Sequence, residues 1–264
     1  MGLIRPEKCD HVCPPDGCDT FQFMAKVMGL RVLHPGGLQA TLELARLCEI
    51  DENTKVLDVG CGSGSSSIFL TKKYGCRVLG VDMDERLLRK AEETCRRESV
   101  QDKVFFRLAD IHDLPFDDGV FDGAVAQAVL VFTDKGQVLR ELARVVRPGG
   151  FVGAVELAWK QVPTSTVLRR VREVLCSAAI NAELHRDWIK IFREACLRVS
   201  YSELRDLRFS FRDMFRDEGR LTAIRVALKT LFNASARGKM REISSLPEET
   251  QKYLGYGLYV GRVS

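Results

Sequence analysis

The stretch Val56-Leu57-Asp58-Val59-Gly60-Cys61-Gly62-Ser63-Gly64-Ser65 decides the fold. It reads as a short buried strand, a glycine loop and the start of a helix. Glycines there let the backbone take positive φ and approach a ligand closely. The helix N-terminus that follows offers unpaired N–H groups to an anionic group. Two other loop types do not fit. A phosphate loop of the Walker type ends in Gly-Lys-Ser/Thr, which is absent. The dinucleotide fingerprint G-x-G-x-x-G accommodates Gly60 and Gly62, but its third position is Ser65 and Gly64 is extra. What remains is D-x-G-x-G-x-G, with an acid inside the strand end. A carboxylate at Asp58 repels a nearby pyrophosphate and suits a ligand carrying an ammonium and a sulfonium.

Outward from this loop, residues 51–157 alternate strand and helix. Lys55–Val59, Arg77–Val81, Val104–Leu108, Phe121–Ala128 and Phe151–Val155 read as strands. Ser65–Tyr74 and Asp134–Val146 read as helices, as does a segment capped by Asp84 with Leu87, Leu88, Ala91 and Cys95 on one side. Arg147-Pro148-Gly149-Gly150 ends the last of these, since Pro and Gly cannot continue a helix. This alternation predicts a parallel sheet with helices on both faces. Upstream, Phe21–Leu33 and Gly37–Cys48 are helical patterns joined by the loop His34-Pro35-Gly36-Gly37. Downstream, Leu168–Ile180, Asp187–Leu197 and Leu221–Ala236 read as helices, and Ser200–Phe211 and Tyr256–Val263 as strands. No Ser/Gly linker separates the parts, so the tail is expected to pack on the sheet.

Two further acids close successive strands. Asp82 ends the strand Val78-Leu79-Gly80-Val81, at a spacing from Asp58 that suits a ribose-binding acid. Asp110 follows Phe105-Phe106-Arg107-Leu108-Ala109 and precedes Ile111. There a carboxylate can accept a bond from an adenine amino group while the apolar neighbour packs on the ring. One strand-end Asp is usually a turn or cap residue; three behind one glycine loop form a pattern.

With VLDVGCGSG (56–64), VLGVDMD (78–84), LADIHDLPFDDGVFD (108–122) and LRELARVVRPGGFV (139–152), the chain resembles the class I S-adenosylmethionine-dependent methyltransferases. The LPF…FD stretch and the RPGG turn resemble the branch of ubiquinone/menaquinone-type and small-molecule methyltransferases. The resemblance covers about residues 35–160. It implies an α/β, Rossmann-like fold: a seven-stranded, mostly parallel sheet with its last strand antiparallel, plus helical lid insertions. It implies three parts: an N-terminal Cys-containing tail and helix (1–34), a cofactor-binding core (35–160), and a helical lid and substrate region completing the sheet (161–264). S-adenosyl-L-methionine is the implied cofactor. By position, Asp58 and the Gly60-Cys61-Gly62-Ser63-Gly64 backbone hold its methionine part. Asp82 binds the ribose, Met83 packs near the adenine, and Asp110 and Ile111 contact it. Gln127 faces the cofactor on the substrate side, and the His34–Gly37 loop is placed to close over the methionine end.

The chemistry implied is in-line methyl transfer to a small, partly apolar molecule, with the protein supplying orientation. The amide-methylating motif D/N-P-P-Y/F is absent; that position reads Ala126-Gln127-Ala128-Val129-Leu130. No residue stands out as a general base. His112, Tyr201 and Glu156 are candidates, each with a structural or solvent-facing reading beside it. A cofactor-binding scaffold without turnover, or an RNA methyltransferase using the basic tail, is the alternative.

Composition limits these readings. The 264 residues are 45% hydrophobic and 29% charged, which is globular and enough for a sizeable core. The net charge of +4 splits into −3 for residues 1–164 and +7 for residues 165–264. Nucleic acid is therefore not the expected partner, and interspersed Asp206, Asp213, Asp217 and Glu218 predict a salt-bridged, solvated face around Arg205–Arg220. No apolar run reaches the ~20 residues of a membrane span, and no signal peptide is visible, so a cytoplasmic protein is expected. The nine cysteines read as reduced thiols, and Cys61 as a packing residue. Cys9, Cys13 and Cys18, with His11 between, miss the common zinc spacings; a reduced, metal-free tail is the expected reading, with a metal or thiol site as its alternative. Trp188, Phe192, Phe209, Phe211, Met214 and Phe215 fit a pocket wall or the core equally well.

Overall fold

A computed structural model describes residues 20, 23–175, 182–207, 216–244 and 248–264 of the chain. The cysteine-bearing N-terminal stretch, Cys176, Arg208, Phe209, Phe211, Arg212, Asp213, Met214 and Phe215 lie outside the described residues. Lys55–Val59 (β1) sits inside the sheet because it is apolar on both faces: Val56, Leu57 and Val59 are fully buried. Arg77–Asp82 (β2) pairs with it in parallel on one side, and Val104–Leu108 (β3) pairs with β2. Phe121–Gln127 (β4) pairs with β1 on the other side, followed by Val146–Trp159 (β5). Three later strands complete the sheet: Glu183–Leu184 (β6), Leu197–Asp206 (β7) and Leu254–Val263 (β8). The order is β3-β2-β1-β4-β5-β8-β7, with β8 antiparallel to both neighbours and β6 pairing with β5 where β4 has ended.

Helices cover both faces. Gly37–Leu47 (α1), Ser65–Tyr74 (α2) and Glu85–Arg97 (α3) lie on one, bringing Ala40, Leu44, Ile68, Leu70 and Cys95 against the sheet. Lys135–Val145 (α4), Ser165–Val174 (α5) and His185–Glu194 (α6) lie on the other, where Leu139, Leu142, Val171, Trp188 and Phe192 pack on Leu57, Val81 and Ala126. Caps set several helix starts. Asp84 accepts from the Arg86 N–H, Asp134 from the Gln137 N–H and Thr164 from the Val167 N–H. Arg220–Phe232 (α7) and Ala234–Ser244 (α8) form a hairpin. It shares a separate small core with the π-helical turn Phe23–Met28. Glu248–Tyr253 (α9) leads into β8.

The α/β sheet with a final antiparallel strand is present, and several boundaries move. The sheet has an eighth, two-residue strand, β6, too short to leave a periodicity. Among the described residues of the 21–33 pattern, only Phe23–Met28 is helical, ending at Gly29, whose φ is +78°. The α4 helix ends at Val145, yet Arg147-Pro148-Gly149-Gly150 is not a loop between helix and strand: β5 already begins at Val146. Partner positions jump from Phe121↔Val146 to Gly123↔Phe151, so the extra residues bulge out, with 147–149 exposed and Pro148 needing no N–H partner. Asp187–Leu197 ends earlier, because Leu197 opens β7. Leu221–Ala236 is two helices, broken where Asn233 caps the second through the Ala236 N–H.

Leu142 is fully buried between α4 and the sheet. Leu142→Ala is expected to cost about 2–5 kcal/mol. Urea unfolding checks this; a loss below about 1 kcal/mol would remove α4 from the core.

Candidate functional site

The strand order reverses between β1 and β4, and in open α/β sheets the crevice at such a point, outside the carboxyl ends of the strands, is where ligands sit. Asp58 lies there, 2% exposed. Ser67 Oγ, on the first turn of α2, donates to its Oδ2 at 2.5 Å. Burial pushes the carboxyl up to about 7, a shift the Ser67 hydroxyl opposes and Asp82 reinforces.

The glycine loop is held by neighbours on both sides. Gly60 has φ +66°, and a Cβ there would collide with the Val129 side chain at 2.4 Å, so the loop after β4 packs directly on it. Gly62, at φ +54°, would meet nothing, leaving that face of the loop open for a ligand to approach the backbone. The Gly62 N–H donates to Asp82 Oδ2 at 2.8 Å, and the Asp84 N–H to Oδ1 at 2.9 Å. Asp82 thus ties the end of β2 to the loop, while each oxygen keeps a lone pair for a hydroxyl. Burial raises its acid too, against those two N–H bonds. Cys61 sits between the acids. Burial, then Asp58 and Asp82, push its thiol up, so it is held neutral and serves packing rather than nucleophilic attack.

At the end of β4, the buried Thr41 of α1 donates its hydroxyl to Gln127 Oε1 at 2.7 Å. That fixes the amide and leaves Gln127 Nε2 buried without a hydrogen-bond partner among the described residues. His34 Nε2 lies 3.2 Å from Thr41 Oγ1 and 3.4 Å from Ser66 Oγ, so the His34–Gly37 loop does reach the glycine loop. Burial pulls His34 down to about 4, leaving the imidazole neutral near pH 7. Beyond Gln127, Ala128 holds φ +56° and donates its N–H to Val155 O. Glu156 Oε1 accepts from the N–H groups of Val129 and Leu130, both at 2.9 Å, which sets the following turn.

Asp110 Oδ1 accepts from the His112 N–H and from its Nδ1; the His112 bonds hold the carboxyl below the ordinary range. Ile111 is buried, whereas Met83 is 72% exposed at the rim. Two of the three candidate bases are taken up: His112 accepts from the Asp134 N–H while bonded to Asp110, and Tyr201 donates to Glu203 in a network with Arg205 and Glu43. Glu156 anchors a turn through Oε1 alone; its Oε2 is buried without a hydrogen-bond partner among the described residues, and burial pushes the carboxyl up to about 7. Sequence reasoning missed Thr41, Ser66 and Ser67, which differ in no way from ordinary helix hydroxyls until the fold turns them inward. It also missed Asp217 and Glu218. These are not on a solvated face: Glu218 Oε1 accepts from the N–H groups of Arg31 and Val32, and Asp217 Oδ2 from that of Leu38. They fasten both sides of His34 to the start of α7. Arg216 does pair with Asp217, whereas Arg205 pairs with Glu43 and Glu203, and Asp206 with Lys160.

Two carboxyls at one loop, neither ion-paired to a Lys or Arg among the described residues, call for a cation. An orphaned amide N–H beside them calls for an acceptor. An amino-acid head with a sulfonium meets both demands, and the open face at Gly62 gives it room.

Residues 56–150 match the Methyltransferase domain family. An O-methyltransferase of Penicillium expansum, cnsE, is 32% identical over 208 residues, covering 77% of this chain and 70% of the relative. The chloroplastic tocopherol O-methyltransferase of Arabidopsis thaliana is 33% identical over 117 residues, 43% of this chain and 34% of the relative. Among solved structures, a methyltransferase from Thiobacillus denitrificans bound to S-adenosyl-L-homocysteine superposes with a TM-score of 0.67 at 18% identity. The match covers 94% of this chain and all of that one.

Because its folded-state pKa is raised to about 7, Asp58 favours the ligand-free fold most below its unfolded value and least above 7. Asp58→Asn removes that dependence. Denaturant unfolding of the ligand-free protein is expected to show the variant gaining stability over wild type, by on the order of 2–4 kcal/mol, as pH rises from about 5 to about 8. A pH-independent difference would place the carboxyl in water.

Proposed function

The chain belongs to the class I S-adenosylmethionine-dependent methyltransferases, and from that premise we propose that it methylates a small, partly apolar organic molecule at the carboxyl ends of β1 and β4. When bound, the cofactor supplies an activated methyl group on a sulfonium. Asp58 and the Gly60, Cys61, Gly62 and Gly64 backbone would hold its amino-acid part. Asp82 would take the ribose hydroxyls, and Met83, Asp110 and Ile111 the adenine. In this reading residues 35–160 bind the cofactor, and residues 161–264 shape the acceptor's side. The observation that carries it is the pair of acids, Asp58 and Asp82, on one glycine loop with no basic partner among the described residues.

What the protein adds is placement. Ser67 aims Asp58, Asp82 pins the loop, and Glu156 with Val155 O fixes Gln127–Leu130. Gln127 Nε2 is the donor left over for an oxygen on the ligand. Fixing both reactants this way can supply up to ~7–11 kcal/mol of the barrier. Neutral His34, pulled down to about 4, is a weak base, so it orients Thr41 and Ser66 rather than taking a proton. The nucleophile then arrives ionised or gives its proton to an acceptor other than His34. Relatives that include O-methyltransferases support a small-molecule acceptor.

Calorimetry with S-adenosylhomocysteine is expected to show binding that Asp82→Ala weakens at least about tenfold, or ~1.4 kcal/mol. No binding by wild type would refute the reading. Label from methyl-labelled cofactor is expected in the organic-soluble fraction of a cell extract. Label in RNA would favour the basic tail as a nucleic-acid platform, and binding without label in any fraction would favour a scaffold.

A further inference from the structure

The α7–α8 hairpin carries a feature that methyl transfer does not use. Leu221, Ile224, Leu228, Leu231 and Phe232 are each between 50% and 83% exposed. Their spacing puts them on one helical stripe. The opposite face is the one that packs: Ala223 and Val226 are buried, and Val226 meets Phe23, Met28 and Met240. So α7 is apolar on both sides, one of them toward water. The hairpin is also one-signed. From Gly219 to Arg241 the sequence holds six cations, Arg220, Arg225, Lys229, Arg237, Lys239 and Arg241, and no Asp or Glu. The nearest acids, Asp217 and Glu218, are turned inward onto the 31–38 loop, and Glu242 pairs with Lys239.

We propose that α7 is a docking surface for an anionic lipid bilayer, lying in the interface with its exposed stripe among the acyl chains and the exposed Arg225, Lys229, Arg237 and Arg241 at the headgroups. An amphipathic helix with Leu and Phe on one face and Lys and Arg beside it binds such surfaces through apolar burial plus attraction to anionic lipid. Three observations favour lipid over other occupants. The stripe offers on the order of 500 Å² of apolar side chain, the size of a functional patch, whereas a stable dimer needs about 800 Å² per partner. A second copy seated on it would bring together two hairpins that each carry six cations against the single acid Glu242, which is repulsive. Nucleic acid would use the cations but leave the stripe in water. No described helix is long and apolar enough to cross a membrane, and none is needed here. The hairpin also begins where Asp217 and Glu218 clamp the loop that carries His34 to Ser66, so the docked face adjoins the site.

Flotation of the full chain with vesicles tests this. Binding is expected to phosphatidylcholine vesicles containing about one-third phosphatidylglycerol, and to fall at least about tenfold on pure phosphatidylcholine or in high salt. Leu221→Glu/Leu228→Glu is expected to lose it at least about tenfold. Because both positions face solvent, that variant should keep its far-ultraviolet circular dichroism and its affinity for S-adenosylhomocysteine, which separates lost docking from lost fold. Arg225→Glu/Arg237→Glu should weaken binding to the anionic vesicles only. No flotation by wild type would overturn the proposal. So would light scattering showing a dimer that Leu228→Glu dissociates, or RNA binding that the arginine variant loses and the leucine variant keeps.

Discussion

A carboxyl group buried at the end of β1, with no ion-paired cation among the described residues, is the constraint on which the rest of the structure turns. Moving an ionised carboxylate out of water costs several kcal/mol unless it is paired or well hydrogen-bonded. Asp58 receives a hydroxyl bond from Ser67 and a backbone contact on the same residue, and Asp82 adds repulsion. The protein meets this by letting the group hold its proton near neutrality. In the proposed reading, a positively charged ligand would complete the pairing. That placement requires a strand buried on both faces, with α1–α3 on one side and α4–α6 on the other. The packing of the sheet is in this sense built around one buried acid that has no ion-pair partner among the described residues.

Other carboxylates near the site serve a different purpose: they accept backbone N–H groups and so define loops. Asp82 fixes Gly62 and Asp84, Glu156 fixes Val129 and Leu130, and Glu218 fixes Arg31 and Val32. In each case one side chain orders a segment that otherwise carries unpaired donors, and a charged acceptor makes those bonds stronger than neutral ones. Ala128 shows why this is needed. A left-handed conformation for a residue with a Cβ costs on the order of 1–3 kcal/mol and persists only where its surroundings enforce it. The Val155 carbonyl on its N–H and the Glu156 carboxyl just beyond it supply that enforcement. Val129, aimed by the same bonds, then fills the space that Gly60 leaves.

The parts legible in the sequence were those governed by local pattern. Strand β1, helix α2 and strand β3 begin and end where alternation, glycines and periodicity place them. Asp84 and Asp134 cap the helices they precede. The parts that were not legible depend on tertiary partners. Arg147–Gly150 has every mark of a loop, and only pairing with β4 makes it a bulge within a strand. Asn233 looks like one more residue of a long helix until its side chain caps a second one. Asp217 and Glu218 sit among arginines, so charge pattern assigns them to a solvated face. Their actual partners are N–H groups about 180 residues upstream, which no local rule can reveal.

The division of charge along the chain then has a structural consequence. Acids concentrate in the part that carries the glycine loop, and the cations of residues 219–241 stand without an acid among them. Beside the hairpin lies the Asp217–Glu218 clamp, whose acids take backbone donors of residues 31–38 and pair with Arg216 and Arg31 rather than with the cations of the hairpin. Had they paired with the hairpin, both the clamp and the one-signed surface would be lost together. The hairpin is therefore locally cationic, and an anionic surface attracts it over about a Debye length. Orientation at a surface then follows from where the acids are spent within the fold, and not from the net charge of +4, which by itself is too small to impose any.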